Sequence, residues 1–130
     1  MIFGSQETSL SSRLTIPLRG QIWKVNLDPA IGDEMNKVRP VVVLNSDAIN
    51  TGLSVKIVAP ITGWQQHFAN NIFHIKVIPD ANNKLTKDSA TNVLQVRALD
   101  TKRFVSFEGI VSAIILEEAV TALAALLEYQ

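Results

Sequence analysis

Lys37-Val38-Arg39-Pro40-Val41-Val42-Val43-Leu44-Asn45 is the stretch on which the fold of this chain turns. Val38 and the run Val41 to Leu44 are apolar and mostly β-branched, the residue class that fits a pleated sheet. No apolar–polar alternation survives between Val41 and Leu44, so the run predicts a strand buried on both faces. Pro40 has no N–H, which suits the first position of a strand rather than its middle. It also biases Arg39 toward extended backbone. Arg39 then stands at the rim of a rigid element, where the chain leaves a polar loop. A guanidinium so placed either caps a strand end or offers an anion several donors in a fixed fork.

Upstream of this run, Ala30 to Lys37 forms a loop holding Gly32, Asp33, Glu34 and Asn36. It is longer than an ordinary hairpin connection, which marks it as a candidate functional loop. Asp28-Pro29 carries turn chemistry, and Ile22 to Leu27 alternates as a strand with one buried face. Residues 1–18 are rich in serine and threonine and are expected to be a flexible extension, with the domain proper spanning 19–130. Downstream, Asn45-Ser46-Asp47 ends the central strand and Asn50-Thr51-Gly52 turns the chain. Val55 to Ile61, Ile72 to Ile78, Thr91 to Leu99 and Phe104 to Ile110 are the further strands expected. Polar turns fall between them, including Pro79-Asp80 and Asn82-Asn83. Ile115 to Glu128 is the one helix, with Leu116, Ala119, Val120, Leu123 and Leu127 forming its apolar stripe. Glu117 and Glu118 are placed in its first turn, where they would complement the helix dipole. Short strands followed by one terminal helix define a mainly β class: a small barrel or twisted antiparallel sheet with a helix packed on it.

Composition narrows the functional classes. The 130 residues hold 47% hydrophobic and 18% charged side chains, a globular balance for a single domain. There is no cysteine, which excludes disulfides and thiolate metal sites, and the two histidines, His67 and His74, do not make a zinc site alone. No apolar run has membrane-spanning length, and the first eighteen residues lack the pattern of a signal peptide, so a cytoplasmic location is expected. The net charge is zero, but it is unevenly spread. From Arg19 to Phe107 there are eleven Lys and Arg against seven Asp and Glu; from Glu108 onward there are four acids and no base. A mildly basic body with an acidic terminal helix is compatible with a local anion site.

Read together, several short pieces match a known family. They are Arg19-Gly20-Gln21-Ile22-Trp23, Leu27-Asp28-Pro29, Gly32-Asp33-Glu34, Val38-Arg39-Pro40-Val41-Val42-Val43, Pro60-Ile61-Thr62, Gln95-Val96-Arg97, Leu99-Asp100 and Arg103. In this order they closely resemble the MazF/PemK (Kid) toxins, from Arg19 to about Leu127. The resemblance implies an SH3-like barrel or twisted sheet of the MazF/CcdB type with a C-terminal helix, forming a homodimer. It implies a toxin of a type II toxin–antitoxin system that cleaves single-stranded RNA at specific sequences without metal or other cofactor. It also implies a cognate antitoxin whose acidic, flexible tail covers the active groove, and contact with DNA only through that antitoxin.

The same resemblance assigns the chemistry to Arg39 and Thr62. RNA carries its own nucleophile, the 2′-OH, so an enzyme must manage two protons and stabilise a phosphorane. Arg39 fits electrostatic stabilisation through bidentate contact with phosphate oxygens. A role as acid or base is chemically awkward, since arginine loses its proton only above about pH 12. The Thr62 hydroxyl either donates to the same phosphate or ends a strand by bonding its own backbone. Gln21, Asp33, Glu34, Trp64, His67 and Gln95 are the residues expected to contact the substrate around them. For all of these but Asp33 a structural reading stands beside that one. Gln21 and Gln95 either read base edges or satisfy buried backbone. Glu34 organises its loop, and His67 is either a base or a solvated loop residue. Trp64 and Phe68 either stack on unpaired bases, at roughly 1–3 kcal/mol each, or anchor their loop. Trp23 is expected in the core. The chain departs from its relatives at Leu94, where many have an acid. It departs from Kid-type members at Asp33, where they have a histidine, and at Asn92, where they have an arginine. Two other functions on this fold compete: a gyrase poison of the CcdB kind, and a catalytically inactive regulator that binds antitoxin and DNA.

Overall fold

The computed structural model describes residues 16–27, 37–50 and 52–129. Most of the expected N-terminal extension, the Asp28-Pro29 turn, and the loop positions Asp33 and Glu34 lie outside the described residues. Seven strands follow in order: β1 (Gln21–Asn26), β2 (Val38–Val43), β3 (Val55–Gly63), β4 (His74–Val77), β5 (Ser89–Asn92), β6 (Arg97–Asp100) and β7 (Phe104–Ile110). A single helical turn, α1 (Asp47–Asn50), lies between β2 and β3, and a longer helix, α2 (Ala113–Leu126), closes the chain. All pairings are antiparallel, in the order β4-β5-β3-β2-β1-β7, with β6 also against β3. This is the mainly β, twisted-sheet architecture with a C-terminal helix that the strand pattern predicts.

The apolar run of β2 is explained by two cores, one on each face of the sheet. Val41 and Val43 pack with Trp23, Val25, Leu27, Val58 and Leu99, and Phe104 leans on this group. Val42 and Leu44 pack with Ile22, Ala59, Ile61, Ile75, Val93, Val111 and the α2 residues Ala119 and Ala122. Each buried valine contributes roughly 1.5–3 kcal/mol. A slip of one residue would exchange the two sets, so the register is strongly held. Trp23 is core, as expected, at 5% exposure, with Phe104 and Phe107 meeting its ring edge-on. Gly20, at φ +85°, turns the chain into β1, and its N–H donates to the Val43 carbonyl at 2.8 Å. The Arg19 N–H donates to Asp47 Oδ1 at 2.7 Å and the Arg19 guanidinium to the Leu44 carbonyl. Lys56, 1% exposed, donates to the Leu53 carbonyl at 2.8 Å. Burial pushes its pKa below the ordinary lysine value, with Asp47 acting against that.

Several local expectations are corrected. β1 is buried on both faces at its start, since Gln21, Ile22 and Trp23 are all covered. Pro40 is not the first residue of β2 but its third. The stretch from Thr91 to Leu99 is two strands, not one. Thr91 pairs with Ile61 and Arg97 with Val58, so six steps along one strand face three along the other. The surplus is taken up by a 3-10 turn, Val93–Gln95, capped by Asn92 Oδ1 accepting from the Leu94 N–H at 3.0 Å. The fourth strand is shorter than Ile72 to Ile78, and both of those residues are exposed. α2 starts two residues before Ile115, because Ser112 caps it by accepting from the Ile115 N–H at 3.2 Å. Glu117 and Glu118 therefore fall beyond its first turn.

Candidate functional site

β2 and β3 pair as Val41↔Pro60, Val42↔Ala59 and Val43↔Val58. Carried two residues further, that register sets Arg39 against Thr62, but the ladder stops short of them. Neither Pro40 nor Pro60 has an N–H to donate. Beyond Pro60, β3 pairs instead with β5 through Ile61↔Thr91, Thr62↔Ala90 and Gly63↔Ser89. β2 meanwhile stays with β1 through Lys24↔Pro40, Val25↔Arg39 and Asn26↔Val38. The two strands part, and the opening is a cleft of about 230 Å³. Its walls are Arg39, Pro40, Ile61, Thr62, Gly63, Leu85, Thr86, Lys87 and Ser89. Arg39 and Thr62 are both half-buried, both lie within strands, and both line the opening. A guanidinium and a hydroxyl in one cleft can together donate to the oxygens of one phosphate.

The other sequence candidates divide. Gln21 does not line the cleft; its Oε1 accepts from Trp23 Nε1 at 2.9 Å and from the Leu18 N–H at 2.8 Å, which ties the start of β1 to the core. Gln95 is half-buried in the 3-10 turn between β5 and β6. Trp64 follows Gly63 directly, and its N–H donates to the Asp88 carbonyl at 2.9 Å. Its ring meets Phe68 edge-on at 5.7 Å and carries Lys76 Nζ 5.0 Å above it. Phe68 in turn stacks on His74 at 4.0 Å and takes the edge of His67 at 4.7 Å. His74 Nδ1 lies 3.0 Å from Asn71 Oδ1. Burial, and then the neighbouring His67, hold the His74 pKa below the ordinary imidazole value. The rings beyond Thr62 thus form one cluster beside the cleft, built largely on contacts to each other. Leu94, in the position where relatives carry an acid, is 50% exposed. Arg103 donates to the Asn26 carbonyl at 3.1 Å.

Thr86 and Lys87 enter the cleft from the β4–β5 connection, a stretch read in the sequence only as a polar turn. The one available signal was a basic residue just before a strand, and nothing in the linear order ties it to Arg39. Among the described residues, no group of three or more His, Cys, Asp or Glu stands where it could hold a metal ion. Among them, too, no helix is long and apolar enough to cross a membrane.

This sheet, with its terminal helix, is the fold of solved MazF toxins. A crystal structure of MazF from Deinococcus radiodurans superposes with a TM-score of 0.73 at 23% identity, covering 87% of this chain and 97% of that one. An endoribonuclease in complex with its cognate antitoxin, from a mycobacterial species, superposes with a TM-score of 0.69 at 19% identity, covering 88% and 97%. The chain belongs to the PemK-like, MazF-like toxin family of type II toxin–antitoxin systems, whose model matches residues 18–127. It is 36% identical over 101 residues to Endoribonuclease MazF9 of Mycobacterium tuberculosis strain H37Rv, spanning 73% of this chain and 82% of that protein.

Proposed function

We propose that this toxin is an endoribonuclease that cleaves single-stranded RNA at the Arg39–Thr62 cleft, in the cytoplasm and without a metal ion or cofactor. The observation that carries the reading is the meeting of Arg39 and Thr62 in one opening of the sheet. The relative named an endoribonuclease supports the same chemistry. In the reaction the 2′-oxygen of the ribose attacks the adjacent phosphorus and gives up its proton. The bond from phosphorus to the 5′-oxygen breaks, and that oxygen takes a proton. The products are a 2′,3′-cyclic phosphate and a 5′-hydroxyl. Arg39 donates to the non-bridging oxygens, whose charge grows as the phosphorane forms, and Thr62 donates to the same group or orients the 2′-hydroxyl. Preorganised donors of this kind are worth about 10²- to 10³-fold in rate for each one removed.

Gln21, Asp33, Glu34, Trp64, His67 and Gln95 remain the proposed substrate contacts. Of these, Trp64 is next in sequence to a cleft residue, and Gln21 has its amide oxygen engaged within the fold. The proposed partners are RNA, a second copy of the chain, and a cognate antitoxin whose acidic tail would meet the cations of the cleft, with DNA reached only through the antitoxin. Purified protein incubated in EDTA with a long single-stranded RNA, followed by mapping of the new 5′ ends, tests the reading. Cleavage at a recurring short sequence, lost in Arg39→Ala, is the expected result. Intact RNA with tight antitoxin binding would favour the inactive regulator, and intact RNA with arrested supercoiling the gyrase poison.

A further inference from the structure

We infer that Lys87 is a second phosphate-binding residue of the cleft, contacting the phosphodiester that Arg39 holds. The inference rests on the endoribonuclease reading and extends it to a residue from a different part of the chain.

The ammonium of Lys87 lies over the backbone just past Thr62. A methyl group built on Gly63 would stand 3.1 Å from Lys87 Nζ and 3.3 Å from its Cε. An added side chain at Gly63 would press the ammonium aside by a few tenths of an ångström. The adjacent carboxylate does not neutralise it: Asp88 Oδ2 lies 3.8 Å from Lys76 Nζ instead. Among the described residues, the Lys87 ammonium has no hydrogen-bond or ion-pair partner. It therefore shares a cleft of about 230 Å³ with the Arg39 guanidinium. Two cationic side chains line this one small opening, and an anion with several oxygens can accept from both. A phosphodiester is such an anion, and the phosphorane derived from it carries still more charge.

The segment presenting Lys87 is pinned at several points. Asn83, 2% exposed, accepts through Oδ1 from the Asp80 and Leu85 N–H groups, each at 3.0 Å, and donates through Nδ2 to the Ile78 carbonyl at 2.9 Å. Asp80 Oδ1 accepts from the Asn82 and Asn83 N–H groups at 2.8 and 2.7 Å. The turn rests on β7, where the Ile110 N–H donates to the Asn82 carbonyl at 2.9 Å. The Ser89 hydroxyl donates to the Lys87 carbonyl at 2.9 Å. The backbone of Lys87 is held while its charged end is left for a ligand. That is how a fixed electrostatic contact is built at low reorganisation cost.

The test compares the parent with Lys87→Gln, Lys87→Arg, Gly63→Ala and, as a matched charge control, Lys102→Gln. Cleavage is followed on a long single-stranded RNA. Affinity is followed by titrating salt against a short oligoribonucleotide that spans a mapped cut site and is 2′-deoxy at the scissile ribose. Lys87→Gln is expected to cleave about tenfold or more slowly. Its slope of log K against log salt should shrink by about 0.7, the value for one lost contact to a single strand. Lys87→Arg should restore most of the rate. Gly63→Ala should slow cleavage with little change in Tm, because the added methyl displaces only the end of a flexible side chain. Lys102→Gln should match the parent slope. Parent-like rate and slope in Lys87→Gln would overturn the inference while leaving the nuclease reading intact. So would an equal loss of slope in Lys102→Gln, or a Lys87→Gln effect confined to antitoxin affinity. A parent protein that neither cuts nor binds RNA would overturn both.

Discussion

The two ends of β3 behave in opposite ways. At its start, Val55 to Val58 is paired on one side with β6, and Val58 to Pro60 is paired on the other with β2. Val58 and Leu99 there pack into the Trp23 core. At its far end, Ile61 to Gly63 has left β2 for β5, and the space opened beside it holds Thr62, Gly63 and the facing Arg39. The closed end contributes stability; the open end contributes polar groups on a rigid frame. The chemistry sits where the hydrogen-bond ladder is interrupted, and two prolines and a three-residue surplus between β5 and β6 do the interrupting.

Substitutions at the two ends should separate stability from activity. At the open end, Arg39→Ala should lower kcat/KM for RNA cleavage by about 10²- to 10³-fold, with urea midpoints unchanged. An active Arg39→Ala protein would remove the open end from the chemistry. At the closed end, Leu99→Ala should cost about 2–5 kcal/mol in urea unfolding. Its folded fraction should cleave at the parent rate; a specific loss of cleavage would show that the two ends are not separable.

Gly109→Ala tests the turn that mounts one wall of the cleft. An added Cβ would lie 2.5 Å from the Asn83 carbonyl oxygen, a backbone atom that cannot swing aside. A loss of about 1–3 kcal/mol is expected, accompanied by slower cleavage as residues 85–87 shift. Thr62→Val keeps shape and removes only the hydroxyl. It should slow cleavage roughly tenfold through one lost charge-assisted hydrogen bond, and an unchanged rate would leave Arg39 without its proposed partner.

The smallest effect concerns the aromatic cluster beside the open end. Folding lowers the His74 pKa, through burial first and His67 second. The unfolded chain therefore takes up this proton at higher pH than the folded one. The stability contribution is complete above the unfolded value, about 6.5, and is lost as pH falls through it toward the lower folded value. Tm should drop on acidification through that window, and drop less in His74→Gln. Equal slopes in the two proteins would place the acid sensitivity elsewhere.

Much of this architecture was legible in the linear chain. The unbroken run Val41 to Leu44 announces a strand with a core on each face, because a period-2 element hides a continuous apolar run only when both faces are covered. Turn residues and the α2 stripe give the mainly β class and the terminal helix. The order of short motifs around Arg39 and Thr62 points to the family. Less legible were the split at Asn92, which depends on how β3 divides its partners, and the start of α2, set by the Ser112 hydroxyl. Gln21 illustrates a further limit. Nothing local distinguishes an amide aimed at a ligand from one bonded to Trp23 and Leu18.

The sequence by itself determined which segments become strands and which residue types carry charge, because propensity, alternation and proline chemistry act over a few neighbouring residues. Only the tertiary structure decided that Arg39, Thr62 and Lys87 share one opening. Their meeting depends on register, on where β3 changes partners, and on a turn pinned by Asn83 against Gly109. Those are long-range pairings whose geometry no short window of the chain contains.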